Sequence, residues 1–517
     1  MTDGVRASGA DFLQLNPAAA PSRGLTVWLA DALRTAVIDG RLRPGTSLPA
    51  TRLLAEDLGI SRGVVVEAYQ RLHEEGLVSA RRKTGTTVLP RPAPAPGSPD
   101  TAQQAHRAAG PAGHAERPDR AEQRPQGRSA AAAVPVRLPL PWRTAAEIDL
   151  SPGVPDLSSF PRAAWLRAER AVLAEASPAD LGYGDPRGNE RLRRELAGWL
   201  ARTRGLRADP GDIIIVAGVA QALALLAQVL RARGEAAVAV EDPGSFGTRG
   251  ELTYWGLAAV PVPVDDQGMH VVSLTRTGLR TALLTPAHQF PTGVVLAPGR
   301  RQQLLDWAAG GGLIVEDDYD AEYRYDRAPV PALQASAPDR VAYAGSTSKT
   351  LAPGMRLGWL VPPQRLHADL VIAKRESDLG SPALPQLVLA RLIATGDLQR
   401  HTRLARNRHR GRRDALLAAL REHLPAARVQ GVAAGLHLLI TFPGAAGEIE
   451  DTALASRLQA AGVLAHPLSM HRQRPGPPGL VLGYAAHQPA QLRDAARRIA
   501  QILRAMVPAP ATAGTSD

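Results

Sequence analysis

Two hydrophobic periods divide the chain. Across residues 26–39, apolar side chains fall at helical spacing (Val27, Leu29, Ala30, Leu33, Val37), and Gly40 supplies a stop. After Pro44-Gly45 a shorter helix is expected at about 52–58, then a turn at Gly59-Ile60-Ser61, then a third helix at about 62–75 closed by Gly76. In that third helix Val64, Val65, Ala68, Tyr69 and Leu72 make one core-facing stripe, which turns Arg62, Gln70 and Arg71 outward. Residues 77–88 read as a hairpin with a basic tip. From about residue 148 to 506 the period changes. Runs at 213–216, 237–240, 259–264, 281–284, 312–316 and 340–344 predict strands, and helical patterns separate them. That is an α/β layout with a mostly parallel sheet. Residues 413–502 read as helix, strand, helix, strand and helix, a smaller second lobe.

Between these halves, residues 90–141 collapse into Pro, Ala, Gly, Gln and Arg with no apolar period, which describes a flexible linker. The expected organisation is a tail at 1–21, a small helical unit with its hairpin at 22–90, a linker at 91–145, a large domain at 146–508 with its small lobe from about 405, and a tail at 509–517. The run 213–230 has only Gln221 and Gln228 as polar interruptions, long enough to suggest a membrane span. Its β-branched start and the break at Gly218 predict instead a buried strand feeding a buried helix.

Composition narrows the function. The net charge of +12 permits a nucleic-acid partner, and the absence of cysteine excludes disulfides, thiolate nucleophiles and zinc–cysteine sites. No metal site is expected. The first twenty residues lack a charged-then-apolar signal pattern, so a cytoplasmic location without a membrane partner is expected. Of 61 Lys and Arg residues only Lys83, Lys349 and Lys374 are lysines. A guanidinium stays protonated and cannot form an imine; a lysine amine can. Lys349 follows the hydroxyls of Ser346 and Ser348 in Ser346-Thr347-Ser348-Lys349, is followed by Arg356, and is preceded by the acidic strand end Glu316-Asp317-Asp318-Tyr319.

That set matches what pyridoxal 5′-phosphate (PLP) needs from a protein. Lys349 offers the amine. Asp317 or Asp318 can hold the pyridine nitrogen protonated, and Tyr319 can bond the phenolate oxygen. Ser346, Ser348 and Arg356 can bind phosphate together with backbone N–H groups at Gly218-Val219-Ala220, where a strand turns into a helix N-terminus. At the other end of the chain, two helices joined through Gly59 have helix-turn-helix geometry, whose second helix enters the major groove of double-stranded DNA.

The segment Leu48-Pro49-Ala50-Thr51-Arg52, continuing to Ser61-Arg62 and then Glu75-Gly76-Leu77-Val78 and Gly85-Thr86, resembles a GntR-type winged helix. The resemblance implies DNA contacts from Arg52, Ser61 and Arg62, and from the wing around Lys83 and Gly85. The family often has Asn-Thr after Ser-Arg; here Gly63-Val64 follows. The motifs Tyr183-Gly184-Asp185-Pro186-Arg187-Gly188, Glu241-Asp242-Pro243-Gly244, His288-Gln289-Phe290-Pro291-Thr292-Gly293 and the lysine motif resemble fold-type I aminotransferases. The two together resemble the MocR subfamily of transcriptional regulators.

By that resemblance Lys349 is the Schiff-base lysine, Asp317 the pyridinium partner and Tyr319 the phenolate ligand. Tyr183 would reach the phosphate of a neighbour in a head-to-tail homodimer. Ser245 stands where the family often stacks an aromatic on the ring, so Phe246 is the candidate to take over, and His288 is a candidate polar contact. No arginine for a substrate carboxylate is evident; Arg472 and Arg474 lie only nearby. The implied function is a PLP-dependent regulator that senses PLP, an amine or an amino acid, with a vestigial enzyme domain. Two alternatives are a working aminotransferase that also binds DNA and a DNA binder whose large domain is only a dimerisation scaffold.

Overall fold

The computed structural model describes residues 24–81, 85–89, 146–327 and 329–507, with positions 13, 15, 17 and 20 before them. Lys83, the expected linker at 91–145 and the tail at 509–517 lie outside the described residues. The N-terminal unit comprises α1 (Leu25–Ile38), α2 (Thr51–Asp57), α3 (Arg62–Glu74), β1 (Val78–Arg81) and β2 (Gly85–Val88). Its helix bounds fall within one residue of those expected from periodicity. The apolar stripe of α3 supplies Val65, Ala68, Tyr69 and Leu72 to a core completed by Leu29, Leu33, Leu54 and Val78. Gly59 turns the chain between α2 and α3 at φ +61°, a backbone region open to glycine. β1 and β2 pair antiparallel with Arg81 opposite Gly85, and Ser47 bridges Thr87, which ties the wing to the chain ahead of α2.

The second half continues with β3 (Ile148–Asp149), α4 (Arg162–Glu175), α5 (Glu190–Arg204), β4 (Ile214–Val216), α6 (Val219–Ala232), β5 (Ala237–Asp242) and α7 (Phe246–Tyr254). Next come β6 (Ala258–Asp265), β7 (Gly268–Met269), α8 (Val271–Arg276), β8 (Thr281–Leu284), α9 (Pro298–Ala309) and β9 (Leu313–Asp318). β10 (Val341–Ser346), β11 (Gly358–Val361), α10 (Gln364–Asp378) and α11 (Ala383–Ala394) complete the large lobe. Its eight-stranded sheet has the order β4-β11-β10-β9-β8-β5-β6-β7. The ladders β10–β9, β9–β8, β8–β5 and β5–β6 are parallel, as the strand–helix alternation predicts. β11 runs antiparallel to both β10 and β4, and this four-residue strand was not anticipated.

The apolar run 213–230 divides as expected, β4 being wholly buried and α6 packing most of its length into the core. Among the described residues no helix is long and apolar enough to cross a membrane. The small lobe holds α12 (Asp397–His423), β12 (Arg428–Gln430), β13 (His437–Thr441), α13 (Asp451–Ala460), β14 (Val463–Leu464), β15 (His466–Pro467), β16 (Gly479–Gly483) and α14 (Pro489–Met506). Its sheet has the order β12-β13-β16-β15, and Leu438, Ile440, Leu480 and Leu482 pack with Leu416, Leu420 and Ile499 from α12 and α14. Parallel strands in the large sheet end together. That brings Asp242 of β5, Thr285 after β8, Asp317 of β9 and Ser346 of β10 to one edge, where open α/β sheets bind ligands.

Candidate cofactor and DNA-binding sites

A cavity of about 440 Å³ opens at that edge, lined by Gly153, Val219, Ala220, Asp317, Tyr319, Ser346, Ser348, Lys349 and Arg356. Ser245, Thr248, Glu251, Thr285 and Phe290 close its other walls. Lys349 Nζ donates to Gly153 O at 2.6 Å, and the lysine's own carbonyl accepts from Tyr323 Oη at 3.0 Å. Burial lowers the Lys349 pKa, against the raising pull of Asp320 and Asp317. A lowered pKa leaves more of the amine neutral, the form that attacks a carbonyl.

The two adjacent acids of β9 have separate fates because neighbouring side chains on a strand point to opposite faces. Asp318 is braced from behind: Arg204 Nε donates to its Oδ2 at 2.5 Å and Tyr343 Oη at 2.6 Å. Asp317 faces the cavity, and its buried Oδ1 has no hydrogen-bond partner among the described residues. Burial, and then the neighbouring Asp318 charge, push the Asp317 pKa up to about 7. A protonated ring nitrogen would satisfy this orphaned oxygen and supply the missing countercharge. The donor set therefore fits PLP.

The Asp318 brace is a stability element. Tyr343→Phe removes one buried donor to a carboxylate and is expected to destabilise the large domain by about 2 kcal/mol, read by chemical denaturation. Behind Tyr319, whose hydroxyl donates to His288 O at 2.9 Å, the His288 ring places Nδ1 3.0 Å from Asp320 Oδ2. His437 completes this buried group, with its ligand atoms and those of His288 and Asp320 all within 4.8 Å of one another. The packing there is close: a Cβ on Gly435 would meet His288 Cε1 at 2.0 Å.

The phosphate end is built from backbone and cations. α6 begins at Val219 with no side-chain cap, so its first N–H groups remain available to an anion. Gly218 sits at φ +86° with the Arg356 guanidinium 3.2 Å from where a Cβ would stand, and Arg356 Nη2 donates to Ala217 O. Other expected positions lie apart from the cavity. Phe246 does not line it; Ser245, Thr248 and Phe290 do. Tyr183 is 95% exposed, and His288 stands one layer behind Tyr319. Arg472 donates to Pro477 O and Arg474 to Pro261 O, so neither enters the cavity. Sequence reasoning did not single out Thr248, Glu251 or Thr285; helical position after Ser245 was the available signal for the first two.

In the winged helix, Arg52, Ser61, Arg62 and Gly85 are all exposed. Ser61 is the N-cap residue of α3 yet makes no side-chain capping bond, leaving its hydroxyl and the helix N-terminus open to a phosphate. Gly63, Val66 and Gln70 continue the same exposed face.

Comparison with known proteins agrees with both halves. The family of bacterial regulatory proteins, gntR type, matches residues 25–88, and aminotransferase class I and II matches residues 146–499. The HTH-type pyridoxine biosynthesis transcriptional regulator PdxR of Corynebacterium glutamicum is 34% identical over 90% of this chain and 93% of its own length. The probable rhizopine catabolism regulatory protein MocR of Rhizobium meliloti is 33% identical over 90% and 91%. Among solved structures, the kynurenine aminotransferase of Pyrococcus horikoshii superposes with a TM-score of 0.65 at 27% identity, covering 71% of this chain and 93% of that enzyme. With an uncapped recognition helix at one end and an aminotransferase-type cavity at the other, the chain belongs to the MocR/PdxR type of gntR-family, DNA-binding transcriptional regulators.

Proposed function

We propose that this regulator uses PLP as its cofactor and senses PLP itself, so that occupancy of the cavity changes how the winged helices engage double-stranded DNA. When bound, PLP supplies an aldehyde that bonds an amine and a ring that withdraws electrons. Lys349 would give the amine, Asp317 would hold the ring nitrogen, Tyr319 would bond the phenolate oxygen by turning its hydroxyl from His288 O, and Ser346, Ser348, Arg356 and the start of α6 would hold the phosphate. One observation carries the choice of effector. Among the described residues lining the cavity, Lys349 and Arg356 are the cations, and bound PLP would engage both. An amino-acid effector would then find no further guanidinium among those residues for its carboxylate. The same absence weighs against an efficient aminotransferase, whose substrate needs orienting.

A head-to-tail homodimer belongs to this reading. Tyr183 projects from a segment seated by Asp185, which accepts from Arg187 and Arg193, and by Gly188 against Ile215. A tyrosine projecting outward from so seated a segment would suit a neighbour's phosphate site.

The test is DNA binding with and without PLP. A fragment from upstream of the protein's own coding region is titrated with wild type and with Lys349→Ala. PLP is expected to change wild-type affinity about 5- to 150-fold, and to change that of the variant much less. Equal affinities for wild type at saturating and zero PLP would refute the sensing role.

A further inference from the structure

Lys83 lies outside the described residues, and Lys349 lines the cavity. Lys374, the third lysine, has no such role, although it is fully buried. Its Nζ meets three acceptors: Asp378 Oδ2 at 2.5 Å, Ser381 Oγ at 3.0 Å and Gln221 Oε1 at 3.2 Å. An ammonium has three donors, so this site satisfies it completely. The partners reach further. Gln221 Oε1 also accepts from Ala217 N at 2.8 Å, and Gln221 Nε2 donates to Asp378 Oδ2 at 2.8 Å. Ser381 Oγ faces Ile215 O at 3.4 Å on β4. From the opposite side, Arg356 holds Ala217 O.

We infer that Lys374 is a positioning residue for the phosphate site: with Asp378, Ser381 and Gln221 it forms a buried clamp that fixes the Ala217-Gly218-Val219 turn and so the amide groups at the start of α6. The inference rests on the cofactor reading above. Lysine rather than arginine suits the position because a compact ammonium fills a three-cornered buried site, whereas a planar guanidinium presents a fork. Nothing in the clamp touches the ring side of the cavity. Its effect should therefore be confined to the phosphate.

The experiment compares PLP with pyridoxal, which has the aldehyde and ring but no phosphate. Binding of each is followed through the visible band that depends on Lys349. In Lys374→Met, PLP affinity is expected to fall about tenfold, the worth of a buried charge-assisted contact, with an unchanged band position. Pyridoxal affinity should change by less than about twofold, because no phosphate contact is at stake. Ser381→Ala removes one acceptor and should weaken PLP binding about threefold on the same reasoning. If Lys374→Met does not fold, the Ser381→Ala pair of titrations decides. Equal loss for both ligands would mean general packing and overturn the proposal, as would unchanged PLP affinity in both variants. A wild type that gives no lysine-dependent band with either ligand would instead sink the cofactor reading, and this inference with it.

Discussion

Lys349→Ala should abolish the visible absorption that the wild type gains on titration with PLP. Among the described residues no other lysine lines the cavity. Lys374 is locked in its own ion pair with Asp378, and the chain has only one more, Lys83. Burial depresses the Lys349 pKa, which raises the neutral fraction of the wild-type amine, and alanine offers no nucleophile. Ser346, Ser348 and Arg356 remain in the variant, so PLP should still bind, but weakly, without the band and released by gel filtration. Thermal melts separate this outcome from misfolding: the apo forms of wild type and variant should unfold at similar temperatures. A band of undiminished intensity in a folded Lys349→Ala protein would remove Lys349 from the site.

Much of this site could be read along the chain because its parts lie at strand ends that periodicity locates. Strand spacing by itself places Asp317, Tyr319 and Ser346 near strand ends, where open α/β sheets bind ligands. What could not be read was the third dimension. Strand spacing alone leaves Asp317 and Asp318 open, and only the family resemblance favours Asp317; the brace from Arg204, 114 residues earlier in sequence, shows physically why Asp318 turns from the cavity. Phe246 follows Ser245 directly and is the sequence candidate for a missing stacking ring. Ser245 instead caps α7, accepting from Thr248 N, and Phe246 begins the helix with its side chain off the cavity wall. β11 escaped notice because a four-residue strand has too few positions to establish a period. The clamp around Lys374 draws on Gln221, more than 150 residues away in sequence, and no local pattern marks it.

Replacing Arg52 and Arg62 together by alanine should weaken binding to the protein's operator by at least about thirtyfold, given about 1–3 kcal/mol for each well-placed arginine contact. Both side chains are exposed on the winged helix, and neither makes an ion pair among the described residues. Arg71, by contrast, pairs with Glu67 on the same helix. The demand on these two arginines is higher than usual because Gly63 and Val64 follow Ser61-Arg62 in place of residues that could add polar contacts. Salt dependence divides their roles. An arginine on a phosphate should lower the slope of log affinity against log salt by about one when removed, whereas an arginine on a base edge should lose discrimination between operator and unrelated DNA. The single variants, titrated at several salt concentrations on both DNAs, make that assignment. PLP absorption should be unaffected in each. If the double variant bound the operator as tightly as wild type, the DNA-reading face would have to be moved off the amino end of α3.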